Sequence, residues 1–155
     1  MDKDDYLIDK RAISGETFAG VDAKIDILIA SKKKPKVSFI QIGQNDIALG
    51  GAAMVAALQA IVTKLRNYVG TSNKIIVNTL TPGSRYGAAW IYYNNAISTG
   101  QITGIDGIIT QHTADLDAGD GSLAPAYAFD DVHPNNAGRQ IMADLWDAKL
   151  TELGY

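Results

Sequence analysis

Two residues near the carboxyl end of the sequence have the types and the spacing of a catalytic pair. Asp130 and His133 are separated by two residues and are followed by Pro134, which favours an extended backbone at His133 just before a helix. At this spacing the carboxylate can reach one imidazole nitrogen and leave the other facing a cleft. The carboxylate would then fix the tautomer of the ring and stabilise the imidazolium that forms when His133 takes a proton from a hydroxyl nucleophile. The pair therefore predicts a general base with its orienting carboxylate.

Two other interpretations of this segment stay open on sequence alone. Asp131 is closer to His133 along the chain and is an alternative carboxylate partner. His133 could also be only a helix-entry residue, with Asp130 or Asn135 acting as the N-cap of the following helix.

Two further residues could donate hydrogen bonds to a developing negative charge. Asn45 carries a neutral amide, and Gly15 has a backbone N–H that no side chain screens. Donors of these two kinds form the oxyanion hole that stabilises a tetrahedral intermediate of acyl transfer. Each residue also has a purely structural interpretation. Gly15 could be present only because the turn needs a positive φ, and Asn45 with Asp46 could cap the next helix. Together with the Asp130–His133 pair, these residues predict an acyl-transfer site.

The elements that must position these residues alternate along the chain. Short apolar, β-branched runs alternate with segments of helical hydrophobic spacing, which predicts a parallel sheet with helices on both faces. The predicted strands cover residues 6–13, 37–42, 75–80 and 105–109. Ligands bind parallel sheets at the carboxyl ends of the strands. Gly15 and Asn45 follow the first two strands, so the fold class is α/β with a site at that edge.

Four helices are predicted between and after these strands. Each segment repeats apolar residues at three- and four-residue intervals, which marks a core-facing side. These residues are Phe18, Val21, Ile25 and Ile29, then Met54, Leu58, Ile61, Leu65 and Tyr68, then Tyr86, Trp90, Tyr93 and Ile97, and finally Ile141, Leu145 and Trp146. The aromatic residues of the third segment are expected in the core rather than on a binding surface. Gly70 is expected to end the second helix.

Composition excludes several classes of function. Of the 155 residues, 46% are hydrophobic, which fits one domain with a single core. The net charge is −3, and the only basic run, residues 32–34, is expected to be a loop, so no nucleic-acid partner is expected. No run could span a bilayer, and the charged first residues do not begin a signal peptide. We therefore expect a soluble protein, either secreted or cytoplasmic. The sequence contains no cysteine, which excludes thiol chemistry.

Three motifs, in this order, make the sequence resemble the SGNH (GDSL-type) serine ester hydrolases. Residues 11–17 (RAISGET) are similar to the family block with the invariant glycine, residues 43–46 match Gly-x-Asn-Asp, and residues 130–135 match Asp-x-x-His-Pro-Asn. The resemblance extends over nearly the whole chain. It implies a three-layer α/β/α sandwich with a parallel, flavodoxin-like sheet, and neither a cofactor nor a metal.

The resemblance also implies roles for individual residues. Gly15 and Asn45 would be the oxyanion-hole donors, His133 the general base and Asp130 its partner. Family spacing favours Asp130 over Asp131 for that last role. The implied substrate is a small ester or an acylated carbohydrate.

The first block of the family, Gly-Asp-Ser, is not found in this sequence. In the family it follows a strand in the middle of the sheet and carries the nucleophile, whereas residues 1–13 look like the strand that leads into the second block. We therefore expect a single SGNH-like domain over residues 1–155 that is amino-terminally incomplete relative to the family. An unfilled slot in a parallel sheet would expose unpaired backbone groups. An upstream piece, a strand from a second copy in a homo-oligomer, or a rearranged amino-terminal segment should fill it.

Other serines and acidic residues have simpler interpretations. Ser122 lies in a Gly-Asp-Gly-Ser turn that does not directly follow a strand, Ser14 is expected to face away from His133, and Ser84 follows a Pro-Gly turn. None has the position of the family nucleophile, which stays unidentified.

A cluster of aspartates in the late loop could suggest calcium. It departs from the Asp-x-Asp-x-Asp-Gly pattern of calcium loops, so a solvated acidic loop is expected. The cluster consists of Asp115, Asp117 and Asp120.

Two functions fit these observations. The first is hydrolysis of carboxylic esters, acyl or acetyl, by a Ser-His-Asp mechanism whose serine is not identifiable here. The second is a catalytically inactive binding or structural module, for instance within a larger extracellular or phage-type protein. A flavodoxin- or receiver-like domain shares the βα rhythm but explains neither Asn45 nor the late Asp130–His133 motif.

Overall fold

A computed structural model describes residues 15–84, 87–111 and 116–155 of the chain. The predicted strand at residues 6–13 lies outside these residues, as do Ser14, Tyr86 and Asp115. The strands are β1 (Val37–Ile40), β2 (Lys74–Asn78) and β3 (Gly107–Ile109), and the helices are α1 (Phe18–Ala30), α2 (Gly51–Val69), α3 (Ala88–Ser98) and α4 (Asn136–Glu152), with a short 3-10 helix at Ile47–Leu49.

The three described strands form one parallel sheet in the order β1-β2-β3. Phe39 is paired with Ile76, and Ile76 is paired in turn with Gly107. Strands β1 and β2 end two residues earlier than predicted, because the residues that follow turn into the loops at the carboxyl edge, whereas β3 begins two residues later than predicted. The parallel sheet with helices confirms the predicted α/β class, and the sheet is open.

Helices α1, α2 and α3 cover one face of the sheet. Ile40 and Ile42 belong to a core that also contains Met54, Leu58 and Ile61 of α2. Trp90, Tyr93 and Ile97 of α3 are likewise buried in it, which confirms the core assignment of this aromatic stripe. The second helix ends at Val69 and is capped by Gly70, which has a φ of 80°, as predicted.

Helix α4 lies on the opposite face. Neighbouring residues of a strand point to opposite faces, and Phe39, next to Ile40, stacks on Trp146 with ring centroids 5.0 Å apart. Ile141, Leu145 and Trp146 are only half-buried, less than expected for the inner side of a helix. The reason is that α4 is the only described helix on this face, whereas three helices cover the other.

An ion-pair cluster at the amino edge of the sheet fixes β2 and β3. Arg66 on α2 donates to the carbonyl oxygens of Gly70 and Asn73, both at 2.7 Å, and pairs with Asp106 just before β3. The Asp106 carboxylate also accepts the backbone N–H of Ile75 at 2.8 Å. Burial raises the pKa of Asp106, but the Ile75 and Arg66 hydrogen bonds outweigh it and the net pKa is lowered.

Within the described residues, no helix is both long enough and apolar enough to cross a membrane.

Candidate active site

Asp130 and His133 are in direct contact. Nδ1 of His133 lies 3.0 Å from Oδ1 and 2.9 Å from Oδ2 of Asp130. The His133 side chain is 64% exposed and that of Asp130 47%. The carboxylate partner is thus Asp130 and not the alternative Asp131. Because Nδ1 contacts Asp130, Nε2 is the imidazole nitrogen that this contact leaves unused.

The turn that carries the pair is closed by backbone hydrogen bonds. The N–H of Phe129 donates to the carbonyl oxygen of His133 at 2.8 Å, and Ala128 forms an antiparallel bridge with Pro134. Asn135 is the N-cap of α4 and accepts from the N–H of Gly138 at 3.0 Å. His133 is therefore outside the helix, and neither His133 nor Asp130 is the capping residue.

The Asp130 carboxylate is held in its ionised form by the turn itself. Its Oδ1 accepts the backbone N–H of Val132 at 2.8 Å and that of His133 at 2.7 Å. The Val132 hydrogen bond, followed by the His133 side chain, lowers the pKa of Asp130 to about 2. An ionised carboxylate can accept from Nδ1–H and stabilise an imidazolium.

Asn45 and the Gly15 loop are also in contact. Nδ2 of Asn45 donates to the carbonyl oxygen of Glu16 at 2.9 Å, which uses one of the two hydrogens that an amide carries. Gly15 and Asn45 are both exposed, and Gly15 has a φ of 78°. The two predicted oxyanion donors thus belong to adjoining loops. The positive φ of Gly15 also fits the alternative in which this glycine serves the backbone turn.

Gly43 and Asp46 determine the shape of the Gly-x-Asn-Asp loop. Gly43 has a φ of 119°, and a Cβ there would lie 3.0 Å from Cε of Met54. Asp46 makes no capping bond to the 3-10 helix that follows it. Its Oδ2 instead accepts the N–H of Phe18 at 3.2 Å, at the start of α1. The alternative in which the Asp46 side chain caps the following helix is therefore not observed, because this carboxylate binds the start of α1 at Phe18.

The other candidate residues lie as follows. The N–H of exposed Ser84 donates to the carbonyl oxygen of Asp131 at 2.7 Å. Ser122 donates its hydroxyl to Oδ1 of Asp120 at 2.5 Å, and this bond is the leading cause of a lowered pKa at Asp120. Asp117 accepts the N–H groups of two loop glycines. In the described part of the chain, no three His, Cys, Asp or Glu residues group as metal ligands.

The structure thus brings the candidate residues together as two pairs. Asp130 contacts His133, and Asn45 contacts the residue that follows Gly15. The N–H of Ser84 lies beside the first pair, where it donates to the carbonyl oxygen of Asp131; the sequence did not indicate this contact, because it is made by backbone atoms.

Comparisons of fold agree with this architecture. A proposed acylhydrolase from Bacteroides fragilis NCTC 9343 superposes with a TM-score of 0.76 at 19% identity, over 92% of this chain and 74% of that one. A GDSL-like lipase from Bacteroides thetaiotaomicron VPI-5482 gives 0.74 at 18% identity, over 92% and 75%. A carbohydrate esterase family 3 protein from Talaromyces cellulolyticus gives 0.68 at 21% identity, over 90% and 69%. These similarities show an SGNH hydrolase-like fold.

Sequence comparison identifies the family. No curated protein matches the chain. The model of the GDSL-like lipase/acylhydrolase family matches residues 2–141. The match to this family supports ester hydrolysis as the general type of reaction. Because the match covers most of the sequence, the chain belongs to the GDSL-like lipase/acylhydrolase family.

Proposed function

We propose that this chain hydrolyses acetyl or short acyl esters by a Ser-His-Asp mechanism in which His133 is the general base. The observation that carries the proposal is the contact of both Asp130 oxygens with Nδ1 of His133, at 2.9 and 3.0 Å. This arrangement fixes one tautomer and leaves Nε2 to accept a proton. The ionised state of Asp130 favours the imidazolium that results.

The proposed reaction has two half-steps. A serine hydroxyl attacks the ester carbonyl carbon while its proton passes to Nε2 of His133, and the carbonyl oxygen becomes negative. The backbone N–H of Gly15 and the amide of Asn45 stabilise that oxygen. The bond to the alcohol then breaks, and His133 returns the proton to the departing alcohol. Water repeats the sequence on the acyl-enzyme and releases the carboxylic acid.

We propose that the serine comes from a segment that pairs with β1 beyond the described sheet. Among the described strands, β1 is paired only on its β2 side, and its residues Val37 and Phe39 are half-exposed. Helix α4, which stacks on Phe39, is half-buried along its inner side. A parallel strand added at β1 would cover these apolar groups and pair the backbone.

We propose acylated carbohydrate as one substrate class, supported by the carbohydrate esterase with a similar fold. The 64% exposure of His133 fits an open cleft that can admit a bulky alcohol such as a sugar.

A fluorophosphonate probe tests this proposal directly. The purified chain is treated with the probe, with and without a peptide that carries a Gly-Asp-Ser strand, and any adduct is located by mass spectrometry. We expect the adduct on the serine of the peptide, together with hydrolysis of p-nitrophenyl acetate. An adduct at Ser14, Ser84 or Ser122 would contradict the proposal that another segment supplies the serine. The absence of both labelling and hydrolysis would favour the inactive binding module.

A further inference from the structure

Residues 80–84, which we call the β2 turn segment, are hydrogen-bonded to the loop of the catalytic pair and lie beside the Gly-x-Asn-Asp loop. The N–H of Gly83 donates to the carbonyl oxygen of Gly121 at 2.9 Å, and the N–H of Ser84 donates to that of Asp131 at 2.7 Å. On another side, a Cβ added at Gly83 would lie 3.8 Å from Nε2 of Gln44. The β2 turn segment thus lies between the Gly-x-Asn-Asp loop and the loop of the catalytic pair.

The β2 turn segment is fixed at its other end to α3. The buried side chain of Asn94 accepts the N–H of Leu80 at 2.8 Å and donates to the carbonyl oxygen of the same residue at 3.1 Å. The buried indole of Trp90 donates to the carbonyl oxygen of Thr81 at 3.1 Å. Buried hydrogen bonds of this kind are costly to leave unmade, so they hold the first two residues of the segment against a core helix.

A side chain at Gly83 would be crowded by the neighbouring backbone. A Cβ there would lie 3.0 Å from the carbonyl oxygen of Asp131 and 3.4 Å from Cα of Val132. Gly83 is not among the residues of positive φ, so the restriction is one of space and not of backbone conformation. Both neighbouring atoms belong to backbone, which cannot move aside by rotating a side chain.

We propose that the β2 turn segment is a positioning element, in which Gly83 and Ser84 hold the Asp131–Val132 backbone and thereby set the place of His133 relative to Asn45. The N–H of Val132 binds the Asp130 carboxylate, so a displacement of this backbone moves the carboxylate that orients His133. The role of this segment in catalysis rests on the proposed function, whereas its role in positioning His133 does not.

The substitution Gly83→Ala tests the inference, with Gly87→Ala as the matched control. Gly87 has an extended φ of 176°, and a Cβ there meets nothing within 4 Å. The pKa of Asp130 is measured by ¹³C NMR. We expect Gly83→Ala to move this pKa from about 2 towards its ordinary value, while Gly87→Ala leaves it unchanged. In the hydrolytic assembly kcat should fall roughly tenfold or more with KM little changed, because a small misplacement of a catalytic group is costly. An Asp130 pKa that is the same in both variants would overturn the inference.

A second pair of variants isolates the Ser84 hydrogen bond. Ser84→Pro removes the N–H that binds Asp131, and Ser84→Ala removes only the hydroxyl. We expect Ser84→Pro alone to raise the pKa of Asp130, and an unchanged pKa would contradict the inference. In the unaltered chain, the amide hydrogen of Ser84 should exchange slowly with solvent, and fast exchange would contradict it even if a variant does not fold. These NMR measurements need no hydrolysis, so a moved pKa without activity would reject only the proposed function.

Discussion

The carboxylate of Asp130 is bound from two directions, by Nδ1 of His133 at 2.9 Å and by the backbone N–H of Val132 at 2.8 Å. The side-chain contact orients the imidazole, and the backbone contact lowers the pKa of the acid. A single tight turn therefore both places the candidate base and keeps its partner ionised.

Asp130 should make the stability of the protein depend on pH in the acid range. Its pKa is lowered from 3.8 to about 2 in the folded state, so its contribution is complete above the ordinary value and is lost as pH falls through about 2. Asp130→Asn should reduce the fall in the free energy of unfolding across this window. Urea unfolding at several pH values measures the free energy of unfolding, and Asp131→Asn is the control. Equal pH dependence in both variants would contradict the prediction.

Asn45→Ala should slow hydrolysis by the assembled enzyme with little change in substrate binding. The loss of one oxyanion donor costs about 3 kcal/mol in the transition state, or on the order of 100-fold in kcat. The control is Asn67→Ala, at an exposed position on α2. Steady-state kinetics with p-nitrophenyl acetate provides the measurement. If the two variants had the same kcat, Asn45 would not be an oxyanion donor.

Gly43→Ala should destabilise the chain more than Gly70→Ala. Both glycines have a positive φ, but a Cβ at Gly43 would meet Met54 at 3.0 Å whereas one at Gly70 would meet nothing within 4 Å. The shared φ strain is roughly 1 kcal/mol or more in each variant, and overpacking should add about 1–3 kcal/mol at Gly43. Thermal and urea unfolding measure the difference, and equal losses would show that space at Gly43 is not limiting.

Arg66→Met should weaken the junction of α2 with β2 and β3. It removes donors to three carbonyl oxygens and leaves the largely buried Asp106 without its main cation. We expect a loss of roughly 2–3 kcal/mol in the free energy of unfolding, below the cost of breaking a fully buried pair. Lys64→Met is the control, because Lys64 pairs with Asp22 and Asp26 at the surface and should matter little. A similar loss in both variants would contradict this.

The elements with regular apolar spacing could be predicted from the sequence because burial imposes that spacing. Trp90, Tyr93 and Ile97 are buried as their helical intervals indicate. The inner side of α4 was less well predicted, because periodicity shows which side of a helix is apolar and not how completely the neighbouring elements cover it. Strand ends were predicted too long, since Ile42 and Leu80 are as apolar as the strands that they follow.

The candidate site was predictable only where its contacts are local in the chain. Asp130 and His133 are three positions apart, so one turn brings them together. The contact of Asp46 with Phe18 spans 28 positions, and that of Ser84 with Asp131 joins two backbones. Backbone hydrogen bonds can be made by any residue except proline at the donor, so no residue type marks them in a sequence.

Hydrolysis of p-nitrophenyl acetate by the chain together with the Gly-Asp-Ser segment tests the role of His133 most directly. The rate is measured for the unaltered chain, for His133→Ala and for Asp131→Asn, whose side chain does not orient the imidazole. We predict that His133→Ala loses roughly a thousandfold or more in kcat, as expected for a general base, while Asp131→Asn keeps its rate. A His133→Ala variant that hydrolyses the ester at the rate of the unaltered chain would contradict the assignment.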